Sequence, residues 1–262
     1  MGRTLAVVVA HPDDDTFGAA GTVALHAGDP DFRFVLVHVT SGEAGQIAES
    51  SGATREDLGS VREEEDRRSW RVLGREPDRH EWLRYPDGSV ADVAFEDIVG
   101  AIAGVLHEER PDVVMTFGPE GITDHPDHKA VGRATSEAFH ELREASETGF
   151  RRLLHTSLRA SMIEEWNRRL VAAGREPFDP TKVFHPRGVP DEAIGVDVDC
   201  TSVARRKFDA LREHRSQAGD VEDWSEEEQL AAMANETHVV AWPPSEPGAP
   251  VLTDVFEGLV QE

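Results

Sequence analysis

The chain of 262 residues is long enough for one large α/β domain or at most two small ones, and 39% of its residues are hydrophobic. Acidic residues outnumber basic ones by 51 to 27, which gives a formal net charge of −24 at pH 7. A charge of this sign disfavours nucleic acid or an anionic membrane surface as a partner, and favours a small neutral or cationic ligand.

Cysteine usage and the first residues bear on the compartment. A single cysteine, Cys200, excludes an intrachain disulfide and a thiolate zinc site, and it is consistent with a reducing, cytoplasmic compartment. The run "TLAVVVA" is too short to span a membrane and is followed closely by acids, so it predicts a strand rather than a signal peptide or anchor. No other apolar run approaches the length of a membrane span.

The choice of basic residue carries a second compositional signal. Only three of the 27 basic residues are lysines, and the acids are spread along the chain rather than gathered in a tail. This composition fits a cell with high internal salt, in which charge repulsion is screened, but high-GC coding also favours arginine. Composition leaves both explanations open.

Apolar runs and helix-period segments alternate along the chain. In chain order they predict a strand over 5–10, a helix over 16–27, a strand over 33–39, a helix over 62–74, a strand over 80–85, a helix over 93–109, a strand over 112–117, a helix that includes 130–139, a strand over 151–158, a helix over 162–174, a strand over 193–199 and a helix over 202–217. Gly18 and Gly21 should let the first helix pack closely on the sheet, and the second helix should be a charged surface helix that Gly74 ends. The tail 242–250 should be an extended surface connection.

This alternation predicts an α/β fold, a Rossmann-like three-layer sandwich with a mostly parallel central sheet. Continuous apolar strands are typical of a sheet that helices cover on both faces. We expect a single domain over 1–262, in which residues 160–192 form an insertion over the active-site edge of the sheet.

The stretch "HPDDD" (11–15) stands where the loop after the first strand should be, and open α/β sheets bind ligands at that edge. His11 and Asp14 are three residues apart across a turn that Pro12 stiffens, so an imidazole and a carboxylate can converge on one ion. The spacing alone is equally compatible with an aspartate that only caps the next helix.

A second cluster, "DHPDH" (124–128), follows the strand over 112–117 and reaches the same edge of the sheet. His11, Asp14 and one of His125 or His128 give the nitrogen and oxygen donors of a catalytic zinc centre that keeps one position open for water. Zinc lowers the pKa of such a water to about 7, and a neighbouring carboxylate can then remove its proton. Asp13 is the natural base.

The run "AHPDDDTFGAAGT", followed by "HPDH", resembles the PIG-L/LmbE-like deacetylases, a family of zinc-dependent N-deacetylases that act mostly on N-acetylglucosaminyl conjugates. The resemblance extends through "VTSGEAG", "VREEEDRRSWRVLG", "LRYPDG" and "HRSQ", so it covers most of the chain. The family motif usually reads AHPDDE. Here Asp15 replaces the glutamate, at a position that is not a metal ligand in the family.

The resemblance assigns the metal ligands and the base. It implies that His11, Asp14 and His128 bind zinc, or another divalent transition metal, and that Asp13 is the general base. His125 corresponds to a histidine thought to be charged and to stabilise the oxyanion.

The resemblance also implies supporting and substrate-binding residues. Asp127 would orient the ring of His125, and three further residues match positions that contact the sugar or its aglycone. These three are Arg62, Asp87 and, with a looser match, Glu43. Some relatives place a tyrosine just before the HPDH motif to polarise the carbonyl; here Thr123 and Asp124 stand there and the only tyrosine is Tyr85, so that role is empty or filled differently.

The implied function is hydrolysis of the N-acetyl group of an N-acetylglucosamine-containing conjugate, which releases acetate and a free amine. The implied partner is a small N-acetylated amino-sugar conjugate, with no nucleic acid and no membrane, and a homo-oligomer is left open. One alternative is a sugar- or metal-binding protein with weak or no catalysis. Another is a magnesium-dependent phosphohydrolase that uses "DDDTF" as its nucleophile loop, although this leaves His11 and the HPDH cluster without a role.

Overall fold

The computed structural model describes residues 3–217, 225–246 and 248–259. Its strands are β1 (Arg3–Val9), β2 (Phe32–His38), β3 (Arg79–Trp82), β4 (Val113–Phe117), β5 (Arg152–Thr156), β6 (Leu158–Arg159), β7 (Gly188–Val189), β8 (Val196–Asp199) and β9 (Asn235–Trp242). Its helices are α1 (Asp14–Gly18), α2 (Ala20–His26), α3 (Leu58–Leu73), α4 (Phe95–Glu109), α5 (Gly121–Asp124), α6 (Pro126–Ala145), α7 (Ala160–Ala172), α8 (Ala204–Leu211) and α9 (Glu226–Ala232).

Seven of these strands form one sheet in the order β3-β2-β1-β4-β5-β9-β8. The first five strands in this order are parallel to one another, whereas β9 runs antiparallel to both β5 and β8. Strands β6 and β7 pair separately. The sheet is therefore mostly parallel and flanked by helices, which confirms the predicted fold class.

The central strands are buried on both faces because helices cover the sheet from two sides. Strands β1, β2 and β4 carry almost uninterrupted buried apolar side chains, as their continuous apolar runs predict. Helix α4 packs on α6, and α3 packs with α8 and α2 in a second group. The carboxyl ends of β1 and β4 lie side by side, so the loops that follow them meet at one edge.

The helix predicted over 16–27 is wrong as a single element, because the chain breaks at Ala19 into α1 and α2. The Glu236 carboxylate explains the break: it accepts the backbone N–H groups of Gly21 and Thr22, so a new helix begins there. The predicted close approach of Gly21 is confirmed, since a Cβ on this residue would lie 2.3 Å from the sulfur of Cys200.

Two other helix predictions need correction. The helix over 202–217 is limited to α8, with short 3-10 turns at Thr201–Val203 and Arg215–Gln217. Helix α3 begins earlier than predicted and is not simply a surface helix, because it buries a row of charged side chains against the loops of the sheet edge. That row comprises Arg62, Glu63, Glu65 and Asp66.

Several smaller expectations can be compared with the structure. Gly74 ends α3, as predicted, and adopts the left-handed conformation there. Cys200 is fully buried. In the tail, residues 243–246 and 248–250 are exposed, and Pro247 lies outside the described residues. Within the described ranges, the helices are all too short or too polar to cross a bilayer.

Candidate active site

The side chains of His11, Asp14 and His128 form a closed triangle at the edge where the loops after β1 and β4 meet, and Asp14 turns a different carboxylate oxygen to each histidine. His11 Nδ1 and His128 Nε2 lie 3.2 Å apart, and each lies 3.2 Å from an oxygen of Asp14. Four tetrahedral ligands about 2.0 Å from zinc are about 3.3 Å from one another, so this triangle has the size of one face of a metal site. Its nitrogen and oxygen donors fit zinc or a similar transition metal.

Neighbouring groups fix the orientation of both histidines. His11 turns its other nitrogen, Nε2, to Asp87, 3.0 Å away, and His128 donates Nδ1–H to the Gly121 carbonyl at 2.9 Å. A histidine ligand that donates its second N–H in this way has a fixed tautomer, which leaves the first nitrogen free for a metal. The metal-facing nitrogens of the triangle are therefore set by the protein itself.

The electrostatic environment of the triangle favours a positive charge. Burial alone would lower the pKa of His11, but Asp127, Asp14 and Asp87 raise it well above its usual range. Burial opposes ionisation of Asp14, yet His128 and His11 hold its pKa well below the usual range. A cation, whether a proton or a metal ion, is thus stabilised between these groups.

Asp13 lies beside the triangle with a strained backbone, since its φ is 122°. Such a conformation costs a non-glycine residue of order 1–3 kcal/mol, and it persists only when surrounding contacts enforce it. The buried Arg62 supplies two of these contacts, because its Nη2 donates to the Pro12 carbonyl at 2.6 Å and to the Asp13 carboxylate at 3.0 Å. Burial raises the pKa of Asp13 to about 7, against the opposing effect of Arg62, which is the range that suits a general base.

His125 is the N-cap residue of α6, and its ring lies 4.7 Å from that of His11. Its Nδ1 accepts the backbone N–H of Asp127 at 3.1 Å, and burial lowers its pKa to about 4. In this geometry the imidazole accepts at Nδ1, so it is neutral and carries its hydrogen on Nε2, whereas the resemblance implies a charged ring. The ring can still donate a neutral N–H.

The carboxylate of Asp127 does not contact His125, contrary to expectation. It is fully buried and accepts the backbone N–H groups of Gly88 and Val90 at 2.7 and 3.2 Å. Asp127 orients the His125 ring through its backbone N–H rather than through its carboxylate. The carboxylate instead ties α6 to the 88–90 turn and faces His11, 3.5 Å away.

The three predicted substrate residues all lie close to the site, with different exposure. Arg62 and Asp87 line the cavity in front of the triangle, although both already bind protein groups. Glu43 lies behind Asp87, where it accepts the Asp87 N–H at 2.9 Å. Contact of these residues with a sugar stays a prediction.

A cavity of about 1150 Å³ opens in front of the triangle, which is ample for a disaccharide-sized ligand. Two phenylalanines of its lining, Phe17 and Phe184, are exposed by 47% and 66%. Phe184 comes from the 160–192 segment, and its ring lies 5.1 Å from that of His125. Sequence reasoning missed both residues, because neither belongs to a motif with chemical donors.

No tyrosine takes the carbonyl-polarising position in the described part of the chain. Tyr85 donates its hydroxyl to the Asp97 carbonyl, and Asp124 pairs with Lys129 and Arg187. Sequence reasoning also missed the role of Asp15, expected only as a helix-start residue. Its side chain is fully buried and contacts Trp70 and His38.

A mostly parallel α/β sheet that carries two histidines and an aspartate able to hold a metal ion, with a second aspartate beside them, is typical of a metal-dependent hydrolase. Comparisons with known proteins narrow this class. The sequence model of the PIG-L family, described as GlcNAc-PI de-N-acetylase, matches residues 6–139. The 1D-myo-inositol 2-acetamido-2-deoxy-alpha-D-glucopyranoside deacetylase of Saccharomonospora viridis is 33% identical over 80% of this chain and 83% of its own length. The chain therefore belongs to the PIG-L family and is an N-deacetylase.

Solved structures confirm the fold. The N,N'-diacetylchitobiose deacetylase of Pyrococcus horikoshii covers 98% of this chain and 89% of its own, with a TM-score of 0.61 and 22% identity. The 4-carboxy-2-hydroxymuconate hydratase GalB of Pseudomonas putida covers 95% of this chain and 100% of its own, with a TM-score of 0.64 and 17% identity. Because a deacetylase and a hydratase share this fold, the activity must be argued from the family and the site.

Proposed function

We propose that this protein hydrolyses the N-acetyl group of a small N-acetylglucosamine-containing conjugate with the help of zinc, and releases acetate and a free amine. One observation carries the proposal: the closed triangle of His11, Asp14 and His128 lies next to a carboxylate whose pKa is raised to about 7. The similarity to a deacetylase of an acetamido sugar linked to inositol supports the substrate class.

The triangle would hold the zinc ion. When bound, zinc supplies a Lewis acid that polarises the acetamide carbonyl and lowers the pKa of water to about 7. Asp13 accepts the proton of the attacking water, because it lines the cavity beside the triangle without belonging to it and its pKa is raised to about 7. Of the other acidic groups in the lining, Asp87 pairs with His11, and Glu226 pairs with Arg205. The Asp13 carboxyl then returns the proton to the departing nitrogen, so a pKa near neutrality serves both steps.

Two other side chains support the reaction. The neutral ring of His125 carries its hydrogen on Nε2 and can donate it to the oxyanion that forms from the carbonyl. Arg62 holds the Asp13 carboxylate and closes the wall of the cavity behind it. Neither residue needs to change its charge during the reaction.

The phosphohydrolase alternative is disfavoured by the contacts of the aspartates. Asp14 belongs to the triangle, and Asp13 is paired with Arg62. Arg62 therefore already neutralises Asp13 and is not free to bind a phosphate group. The binding-protein alternative requires a defective base, whereas Asp13 is present and held in place. Both alternatives make different predictions for the released product and the bound metal.

The test is to offer the zinc-loaded protein a panel of N-acetylglucosaminyl conjugates and to measure free amine and acetate. Asp13→Asn should retain about one zinc per chain and lose 10²–10⁴-fold in turnover, as expected for removal of a general base. His128→Ala should lose the zinc. His140→Gln is the matched control and should change neither property. His140 lies on α6, as His128 does, but its ring packs on Trp242 of β9.

Three results would contradict the proposal. Activity of the Asp13→Asn enzyme would show that Asp13 is not the base. Failure to release amine from any of the conjugates would favour the binding-protein alternative. Release of phosphate from phosphorylated sugars with magnesium would favour the phosphohydrolase.

A further inference from the structure

Asp15 is the centre of a buried hydrogen-bond network directly behind the base. Its side chain has no solvent exposure, and it accepts the indole N–H of Trp70 at 2.8 Å. Its other oxygen lies 3.2 Å from His38 Nε2 and accepts the backbone N–H of Asp13 at 3.2 Å. The carboxylate therefore joins helix α3 and strand β2 to the peptide group of the base itself.

The network continues through His38 to the edge of the sheet. His38 is fully buried, and its Nδ1 lies 3.0 Å from His80 Nε2 on β3. Its ring stacks on Trp82, with 4.3 Å between centroids and 10° between planes. With a bond at each nitrogen and a stacked indole on one face, the His38 ring has one orientation, and it fixes that of Asp15.

Asp66 completes the cluster on the α3 side. Both of its oxygens are buried without a hydrogen-bond donor among the described residues. Burial and the adjacent Asp15 raise the pKa of Asp66 well above its usual range, which favours the protonated carboxyl. A protonated Asp66 can donate to Asp15, which relieves the repulsion between the two acids.

A second metal ion fits this cluster less well than a proton does. In the active-site triangle each histidine uses one nitrogen both for the other histidine and for Asp14, and all three contacts measure 3.2 Å. Here the Asp66 oxygens lie 3.7 Å from His38 Nε2 and 3.6 Å from His80 Nε2, whereas His38 meets His80 through its opposite nitrogen. One ligand atom from each of the three residues does lie within 4.8 Å of the others, but the His38 ring turns different nitrogens to Asp66 and to His80, so the contacts are longer and less regular than those of the active-site triangle.

We propose that Asp15, held by His38 and Trp70, is a positioning residue that fixes the strained backbone of Asp13 and so aims the base at the metal-binding triangle. The inference rests on the proposed role of Asp13. The backbone of Asp13 has a φ of 122° and needs external contacts on both sides. Arg62 holds its carboxylate, and Asp15 holds its N–H.

The test uses Asp15→Asn in the full chain, because asparagine keeps the size of the side chain but replaces an acceptor by a donor. Residue-resolved amide hydrogen exchange should show at least tenfold faster exchange at Asp13. The amide of His11, which donates to Asp14 at 2.8 Å, is the internal control and should keep its protection. In the zinc-loaded protein, kcat should fall at least tenfold, with KM and zinc content unchanged.

A second variant guards against a folding failure. His38→Gln removes one partner of Asp15 and should give the same changes in smaller degree. His26→Gln is the matched control, because His26 also pairs with an aspartate, Asp254 at 2.9 Å, but its ring packs between Phe32 and Phe256. This control should lower stability without a change in the exchange at Asp13 or in kcat.

Each outcome bears on the proposal. Unchanged exchange at Asp13 in both variants, or an equal loss of kcat in the His26 control, would overturn it. So would two zinc ions per wild-type chain, one of which is lost in His80→Ala. If no conjugate is deacetylated but the exchange at Asp13 responds as expected, the positioning role stands and the proposed function fails.

Discussion

At the residue scale, the chemistry depends on how the protein sets the pKa of one carboxyl group. Asp13 is half-buried. Desolvation raises its pKa most, Asp14 and Asp15 raise it further, and Arg62 and His11 lower it. The balance places the pKa at about 7, so small changes in these neighbours decide the protonation state near neutral pH. Arg62 is the strongest lowering influence.

Arg62→Gln should therefore move the acidic limb of the kcat/KM profile to higher pH. The base acts in its ionised form, and removal of the guanidinium raises the pKa of Asp13, so activity at pH 6 to 7 falls more than activity at pH 9. A shift of about 1–3 pH units is expected from loss of an adjacent opposite charge. Arg67→Gln, which removes a cation of the same helix that pairs with Glu63, is the control. An acidic limb that stays in place would show that Arg62 does not act on the base.

At the element scale, a buried ion pair joins helices α2 and α8 to strand β9. Lys207 donates to Glu236 at 2.6 Å and to the Phe17 carbonyl at 2.7 Å. The side chains of Lys207 and Glu236 are each 1% exposed. Glu236 also accepts the N–H groups at the start of α2. The pair thus fixes the start of α2, the second helix after the HPDDD loop. Burial opposes the ionisation of Glu236, whereas Lys207 lowers the pKa of Glu236.

Lys207→Met should lower the free energy of unfolding by about 3–5 kcal/mol, because it leaves a buried carboxylate without its cation. Urea denaturation measures this loss, and Lys207→Met/Glu236→Gln should recover part of it. Arg205→Met, which removes the exposed pair with Asp209 on the same helix, should cost less than about 1 kcal/mol. Similar losses for the two single variants would contradict a special role for the buried pair.

The site was more predictable from sequence than its supporting network. His11 and Asp14 could be predicted to converge with one of His125 or His128, because each motif lies in the connection after a buried parallel strand and neighbouring strands place these connections at one edge. The choice of His128 came from the family resemblance. The role of Asp15 depends on Trp70 and His38, which come from a distant helix and another strand, and no local spacing encodes that meeting. Similarly, the break at Ala19 depends on Glu236, more than two hundred residues away.

Part of the sheet also escaped prediction. Strand β9 was not among the predicted elements, although it lies between β5 and β8. Along β9, side chains are mostly buried in the first half and partly exposed in the second, with no alternation between neighbours. The first half pairs with β8 and the second half with β5. Periodicity within the strand therefore could not reveal it.

At the scale of the whole molecule, the net charge of −24 opposes the compact state through self-repulsion. Many of the acids form ion pairs with arginines at the surface, but such pairs contribute little each, and the excess acids remain. Salt screens both effects, with a Debye length of about 10 Å at 0.1 M and about 3 Å at 1 M. The sign of the salt effect therefore shows which effect is larger.

The thermal unfolding midpoint should rise when NaCl is increased from about 0.05 to 1 M, because the excess of 24 negative charges outweighs the screened pairs. Calorimetry at pH 7.5 on the metal-free chain measures the midpoint without a contribution from metal binding. Lowering the pH to about 5 at low salt should show how far carboxylate protonation reproduces the stabilisation. A midpoint that falls with salt would mean that the surface pairs dominate.

The position of β9 has a consequence for biosynthesis. Residues 235–242 leave the ribosome after every other strand of the sheet, yet they fill the gap between β5 and β8. Until they arrive, β5 presents an unpaired edge, and β8 has no neighbour in the sheet. An open strand edge readily pairs with another chain, so the nascent protein is most exposed to aggregation in this interval, and it is protected when the last strand inserts.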